Sequence, residues 1–278
     1  MKLQNNFTDN QDAAFREIVS MSEGALCRTM TFFLRKFYPD VIVEDDYIYA
    51  KGTLPVALVA HMDTVFDEPP ESWSIFHDKE SGVYWSPYGL GADDRAGVFG
   101  IITLINAGYR PTVILTLGEE VGGTGAKHFA YSIPIDPNIK FFIELDRQGL
   151  NDCVFYQCDN PNFVGFITNF GFKEEQGSFS DISFICPAWG IAGVNLSVGY
   201  YNEHSYTEMF FESYLLRTIC FVADILDTKV EEPFKYIPRK YDTVQNWLKD
   251  PLFPNDEDDK EYDVDDGLGF FKYDTAGL

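Results

Sequence analysis

An alternation of short apolar runs with stretches of helical spacing most constrains what this chain can fold into. Residues 56–60, VALVA, form a continuous aliphatic run, which is typical of a strand buried on both faces. Similar runs occur at 112–117, 141–145 and 194–198. A stretch with helical spacing at 96–107 separates the first two runs, and another at 210–226 follows the last run. The pattern predicts an α/β fold, a three-layer α/β/α sandwich with a mixed, mostly parallel central sheet.

Shorter elements complete the prediction. Residues 8–37 have helical spacing with an interruption at 22–24, where Ser22 is expected to cap a second helix. Residues 41–43 and 47–50 predict a hairpin. Helices are also predicted from about Thr124 and over 162–172.

The chain of 278 residues is long enough for one large domain with a modest appendage. We expect a single domain over residues 1–250 and an acidic tail over 251–278. The tail contains NDEDDKEYDVDD, a charged block that is expected to stay solvated as a linker. The aromatic GFFKY that follows could dock on the domain or on a neighbouring copy.

The net charge of -23 argues against nucleic acid and against an anionic membrane surface as partners. No apolar run reaches the roughly 18 residues of a membrane span. The five cysteines are odd in number and scattered, so we interpret them as free thiols in a reducing compartment. No signal peptide is recognisable at the start, and a cytoplasmic location is expected.

Acidic residues and histidines follow the predicted strands, at the sheet edge where open α/β sheets bind ligands. His61 and Asp63 follow the first run, Glu119 and Glu120 the second, Asp146 the third and His204 the last, while Asp93 and Asp94 precede the first buried helix. Each alone has a simpler explanation, such as a surface loop, a helix cap or a solvated face. Together they would gather like charges that repel strongly. Two divalent cations would resolve this repulsion, because imidazole and carboxylate are zinc ligands.

The motifs HMDTV, GLGADDRAGV, GEEVGGTGA, ELD and NEHS resemble, in order and approximate spacing, those of the dizinc exopeptidase clan. The resemblance covers about residues 56–204, roughly half of the chain. Many clan members insert a lid or dimerisation domain before the last histidine ligand, whereas only 57 residues separate Asp146 from His204 here. The chain therefore resembles the compact form, like leucyl-, glutamyl- and tripeptide aminopeptidases without the lid domain.

The resemblance implies a set of metal ligands. His61 and Asp146 would hold one divalent metal ion, Glu120 and His204 would hold the other, and Asp93 would bridge the two. Zinc is the expected metal.

The resemblance also implies the catalytic residues. Glu119 would be the general base that activates a metal-bridging water, and Asp63 would fix the ring of His61. The peptide bond between Asp93 and Asp94 is expected to be cis.

These roles imply a metal-dependent exopeptidase, an aminopeptidase acting on small peptides. The first alternative is a carboxypeptidase or an amidohydrolase acting on N-acyl amino acids, and the second is an inactive binding protein on the same fold. A carboxylate-binding arginine near the site would favour the first alternative, but Arg95 and Arg147 are expected to have structural roles. Asp181 could hold a substrate amine, although a helix cap is the preferred interpretation. A homo-oligomer is left open.

Overall fold

The computed structural model describes residues 6–240, and its first two elements are helices. They are α1 (Asp9–Val19) and α2 (Glu23–Phe37). Thr8 and Gln11 form a capping box at the start of α1. Ser22 occupies the position before α2, as predicted, but its side chain makes no capping hydrogen bond. The predicted break between the two helices is therefore confirmed, whereas the predicted capping hydrogen bond is absent.

Residues 6–240 contain twelve strands, which form two sheets. In chain order they are β1 (Val41–Val43), β2 (Tyr47–Ala50), β3 (Val56–His61), β4 (Phe76–Asp78), β5 (Val83–Trp85), β6 (Thr112–Thr116), β7 (Phe141–Arg147), β8 (Asp152–Val154), β9 (Lys173–Glu174), β10 (Gly193–Ser197), β11 (Tyr200–Tyr201) and β12 (Met209–Phe211). The large sheet has the order β1-β2-β6-β3-β7-β10-β8-β9. Its four central strands, β6, β3, β7 and β10, run parallel. The predicted hairpin of β1 and β2 pairs antiparallel at one edge, and β8 pairs antiparallel with β10.

Helices cover both faces of the large sheet. The further helices are α3 (Ala92–Asn106), α4 (Thr124–Ser132), α5 (Pro161–Thr168), α6 (Ile182–Trp189) and α7 (Glu212–Leu226). Leu58 and Ala60 of β3 pack in one core with α1, α2, α3, α5 and α7, while Ala57 and Val59 pack in a second core with α4 and α6. This alternation gives three layers, so the predicted α/β/α sandwich is confirmed.

The second sheet, β11-β12-β5-β4, was not predicted. It changes the end of one expected element, because residues 210 and 211 belong to β12 and α7 begins only at Glu212. The helix expected over 162–172 is also shorter, since α5 ends at Thr168 and β9 follows. The loop between β11 and β12 carries His204.

The cysteine prediction is consistent with the structure, in which all five thiols are free. Among residues 6–240, no helix combines the length and the apolar character that crossing a bilayer requires. The predicted tail over 251–278, and the last ten residues of the predicted catalytic domain, lie outside the described residues.

Candidate active site

The candidate site lies at the carboxyl ends of the parallel strands. His61 is the last residue of β3, and Asp146 is the last but one of β7. Glu120 follows β6 in the next loop, Asp93 lies at the start of α3, and the loop before β12 supplies His204. The structure brings these five predicted residues together, and the reason is the shared direction of the central strands.

Asp93 lies at the centre of the cluster. Its Oδ1 is 3.1 Å from Nε2 of His61, and its Oδ2 is 3.2 Å from Nε2 of His204. Asp146 Oδ1 is 3.4 Å from the same nitrogen of His61, and Glu120 Oε2 is 2.9 Å from that of His204. Each oxygen of Asp93 therefore faces its own pair of one histidine and one carboxylate.

The cluster fits divalent cations in donor type and in spacing. Ligand atoms of His61, Asp93 and Glu120 all lie within 4.8 Å of one another, and the same holds for His61, Asp94 and Asp146. The second oxygen of Glu120 is buried and has no hydrogen-bond partner. Buried, unpaired carboxylates are costly unless a cation neutralises them. Imidazole nitrogen and carboxylate oxygen are the donors that zinc accepts.

When no metal ion is bound, protons neutralise part of the negative charge of the cluster. Burial and nearby carboxylates raise the pKa of Glu119 to about 9 and that of Glu120 to about 7. The hydrogen bond to Asp93 raises the pKa of His204 to about 9. Burial alone would lower the pKa of His61, but the carboxylates of Asp146, Asp63 and Asp93 outweigh it and hold that pKa well above its usual value. The cluster thus binds positive charge strongly, either as protons or as metal.

We expect the metal-free protein to lose stability as the pH rises from 6 to 8.5. Carboxyl groups with raised pKa values, such as Glu120 and Glu208 (both to about 7), bind protons in the folded state at a pH where the unfolded chain has lost them. These protons stabilise the folded state fully below the ordinary carboxyl pKa, and the stabilisation is lost as the pH rises through the pKa of the folded protein. The raised pKa of His204 has the same effect, so its contribution to stability is lost between about pH 6.5 and 9. The melting temperature should fall by at least about 5 °C, given roughly 2–4 °C per kcal/mol for a domain of this size. Thermal melting in a chelator, repeated with zinc, tests this, since zinc should restore more stability at pH 8.5 than at pH 6. A melting temperature that does not change with pH would contradict it.

Asp63 connects His61 to the loop that carries the two glutamates. Its Oδ1 is 3.3 Å from Nδ1 of His61. Its two oxygens also accept the backbone N–H groups of Glu119 (3.4 Å) and Glu120 (3.2 Å). This one carboxylate therefore orients an imidazole and the Glu119–Glu120 peptide at once.

Three side chains that the sequence analysis missed hold Asp146. The hydroxyl of Tyr200 donates to Oδ1 (3.0 Å), and Ser180 Oγ donates to Oδ2 (2.7 Å). The amide of Asn195 on β10 accepts from the backbone N–H of Asp146 (2.9 Å) and donates to its carbonyl (3.1 Å). No motif marks these residues, because their role arises only when β7, β10, β11 and the loop between β9 and α6 come together.

Glu208 was also missed, although it is fully buried. Its carboxylate accepts the backbone N–H groups of Leu90 (3.2 Å), Gly91 (2.7 Å) and Asp93 (3.0 Å). Burial raises the pKa of this carboxyl to about 7. Glu208 fixes the loop that places Asp93, and its position four residues after His204 was the only available signal.

The Asp93–Asp94 peptide bond is cis, as expected. Asp94 is buried and accepts the N–H of His61 (3.2 Å) and that of Gly97 (3.0 Å). The second contact is the helix-capping role that the sequence left open for it. Neither Asp93 nor Asp94 has helical backbone angles, so the regular part of α3 starts after them.

Asp181 occupies the N-cap position of α6, as the preferred interpretation expects, but its side chain makes no capping hydrogen bond. The carboxyl is fully buried and accepts the hydroxyl of Thr116 instead. Burial raises its pKa to about 7. Glu144, two residues before Asp146, is also fully buried, and burial raises its pKa well above the usual value. The site thus contains more buried acid than the motifs indicate.

Both arginines near the ligands bond to backbone carbonyls, as expected. Arg95 donates to Val19 O (2.8 Å) at the end of α1 and is buried. Arg147 donates to Gln176 O (3.3 Å). These two contacts give both arginines a structural role.

Comparison with known proteins shows what the fold resembles. No model of a known protein family matches the chain, and no curated protein matches it. Solved structures do match. The aminopeptidase PepT from Bacillus cereus has 16% identity and a TM-score of 0.64 over 81% of this chain and 99% of that one.

Two archaeal enzymes are similar to a comparable degree. A TET aminopeptidase from a marine sediment archaeon of the Thaumarchaeota has 13% identity and a TM-score of 0.62 over 79% of this chain and 97% of that one. The TET1 peptidase of Pyrococcus horikoshii, described as assembling into a tetrahedron or a large octahedral shell, has 14% identity and a TM-score of 0.57 over 78% and 98%. At such identities the likeness concerns the fold, and the chain has the α/β fold of these aminopeptidases.

Proposed function

We propose that this chain is a metal-dependent exopeptidase, an aminopeptidase that hydrolyses the N-terminal peptide bond of small peptides. The observation that carries the proposal is the position of Asp93 between two pairs of one histidine and one carboxylate. Glu119 is the neighbouring carboxylate that belongs to neither pair. The shared fold of the TET and PepT aminopeptidases supports the same reading.

In this proposal His61 and Asp146 would hold one divalent ion, expected to be zinc, His204 and Glu120 would hold a second, and Asp93 would serve both. When bound, such ions lower the pKa of water and polarise a peptide carbonyl. Four neighbouring side chains orient these ligands. Asp63 contacts His61, Asn195 and Tyr200 bond to Asp146, and Glu208 accepts the backbone N–H of Asp93.

Glu119 is the proposed general base. Its carboxyl has a high proton affinity in the metal-free protein because it is buried among Asp146, Asp181 and Asp93. Added positive charge would lower its pKa towards neutrality, where a base can both accept and return a proton. Glu119 would take the proton of the attacking water and pass it to the leaving amine. Asp63 assists by fixing the backbone N–H of Glu119.

The acidic surroundings favour a substrate with a free amino group. The buried carboxyl of Asp181 lies beside the cluster and binds positive charge, as its raised pKa of about 7 indicates, whereas Arg95 and Arg147 each donate to a backbone carbonyl. A substrate ammonium is therefore better matched in charge than a substrate carboxylate.

A substrate screen tests this choice. The zinc-loaded protein should cleave aminoacyl-anilides and leave N-acetyl amino acids intact, with at least about a hundredfold difference in kcat/KM. The same preparation is analysed for metal content. Cleavage of the blocked compounds alone would establish an amidohydrolase instead, and metal binding without any cleavage would indicate a binding protein on this fold.

We further propose that residues 1–250 form the catalytic domain and that the tail from about Asn255 is dispensable for chemistry, because no motif residue lies beyond His204. Truncation there should leave kcat/KM within about a factor of two. A loss of activity in a folded truncation variant would show that the tail reaches an active site.

Self-association and a cytoplasmic location belong to the same proposal. The shell assembly described for the P. horikoshii TET1 peptidase supports a homo-oligomer. The five free thiols support a reducing compartment.

A further inference from the structure

A groove with a volume of about 560 Å³ opens among the loops that carry the site. This volume falls within the range of about 300–1,000 Å³ that is usual for small-molecule pockets. Its aromatic and aliphatic lining residues are Val65, Phe66, Trp73, Tyr88 and Tyr206.

The groove is continuous in sequence with the proposed catalytic residues. Val65 lies two residues after Asp63, and Tyr206 lies two residues after His204. Because two residues span at most about 7 Å between Cα atoms, two walls of the groove start beside the site. The rings of Phe66 and Tyr206 are 5.8 Å apart and join these two walls.

The groove is lined by large aromatic side chains that are exposed and do not pack in the hydrophobic core. Trp73 is 74% exposed, Tyr206 is 69% exposed and Tyr88 is 57% exposed. Trp73 and Tyr88 meet edge to face with ring centres 6.4 Å apart. Exposed rings that converge on one concave surface are typical of a ligand site.

The charges along the groove restrict what it can bind. Asp67, Glu68 and Glu71 line it, and no lysine or arginine is among the described lining residues. Such a rim favours a neutral or cationic ligand and disfavours an anionic one. A peptide with a free amino terminus has a matching charge.

We propose that this groove binds a bulky apolar side chain of the peptide substrate, next to the bond that is cleaved. The protein would therefore act on peptides with a large aromatic or aliphatic residue there and would discriminate against acidic ones. This inference rests on the proposed aminopeptidase function, whose substrate class it specifies.

The test uses full-length, zinc-loaded protein and two tripeptide series, X-Ala-Ala and Ala-X-Ala, with X as Ala, Leu, Phe or Glu. In one of the series, kcat/KM for Phe should exceed that for Ala by at least about tenfold, since even one methylene in an apolar pocket changes specificity by about 10–200-fold. Glu should be the poorest residue. Trp73→Ala and Tyr88→Ala should each lower the Phe-to-Ala ratio at least about threefold. Tyr131→Ala, which removes an 85% exposed ring elsewhere, should leave that ratio unchanged.

Binding is measured separately from cleavage, by calorimetry with the Glu119→Gln variant and the same peptides. Cleavage with no dependence on X, or a ratio that survives both groove substitutions, would overturn the groove proposal and leave the peptidase function intact. Selective binding that depends on Trp73, without cleavage by the unmodified protein, would overturn the peptidase function alone. A change in oligomeric state in Trp73→Ala would instead make the groove a contact between copies, contrary to the proposal.

Discussion

Glu119→Gln is expected to lower kcat by a factor of at least about 100 while the fold and the metal content stay as they are. The loss follows from removing a general base, which typically contributes about 10²–10⁴-fold. The amide keeps the size and polarity of the side chain, and the hydrogen bond from the backbone N–H of Glu119 to Asp63 is untouched. Steady-state kinetics, circular dichroism and metal analysis are measured on the same preparation.

The neighbouring glutamate supplies the matched control. Glu120→Gln should lose metal, because Glu120 Oε2 lies 2.9 Å from His204 Nε2 and its other oxygen is buried without a partner. If Glu119→Gln loses metal and Glu120→Gln keeps it, the two roles are exchanged. If both variants stay fully active, neither glutamate takes part in the chemistry.

Asp93→Asn is expected to remove most of the bound metal and, with it, the activity. The two oxygens of Asp93 face different histidines, so an amide would leave one of the two metal positions with an NH₂ group in place of a charged ligand. Bound metal should fall from about two ions per chain to fewer than one, and kcat/KM by at least about a thousandfold, as expected when the ions that activate the water are lost.

The control for this substitution is Asp45→Asn, which changes an exposed aspartate on the β1–β2 turn by the same chemistry. It should retain both the metal and the activity. Full metal occupancy in Asp93→Asn would contradict the bridging role of Asp93.

The sequence predicts the four central strands of the large sheet well because they are mainly apolar runs. β3, β6 and β10 are buried along their whole length and β7 over its first five residues, and this burial produces the signal. The short edge strands β8 and β9 were not predicted. The second sheet escaped prediction because its strands are only two or three residues long and partly exposed. Met209–Phe211 resembles the first turn of α7 in composition, and only its pairing with β5 makes it a strand.

The proposed metal ligands could be predicted because each follows a recognisable run or motif. Their supporting residues could not, because Glu208, Asn195 and Tyr200 act through contacts between distant segments. Asp181 illustrates the limit: its position before α6 indicates a cap, yet its side chain turns to Thr116 on the neighbouring strand. Local sequence thus predicts the position of a residue in a helix or strand, whereas tertiary packing determines which groups its side chain contacts.

The most direct test of the two-metal site is anomalous diffraction at the zinc absorption edge, on crystals of the zinc-loaded protein. Two peaks should flank the carboxylate of Asp93, one beside His61 and Asp146 and the other beside His204 and Glu120. A single peak, a peak ligated by Glu119, or no peak at Asp93 would contradict the account.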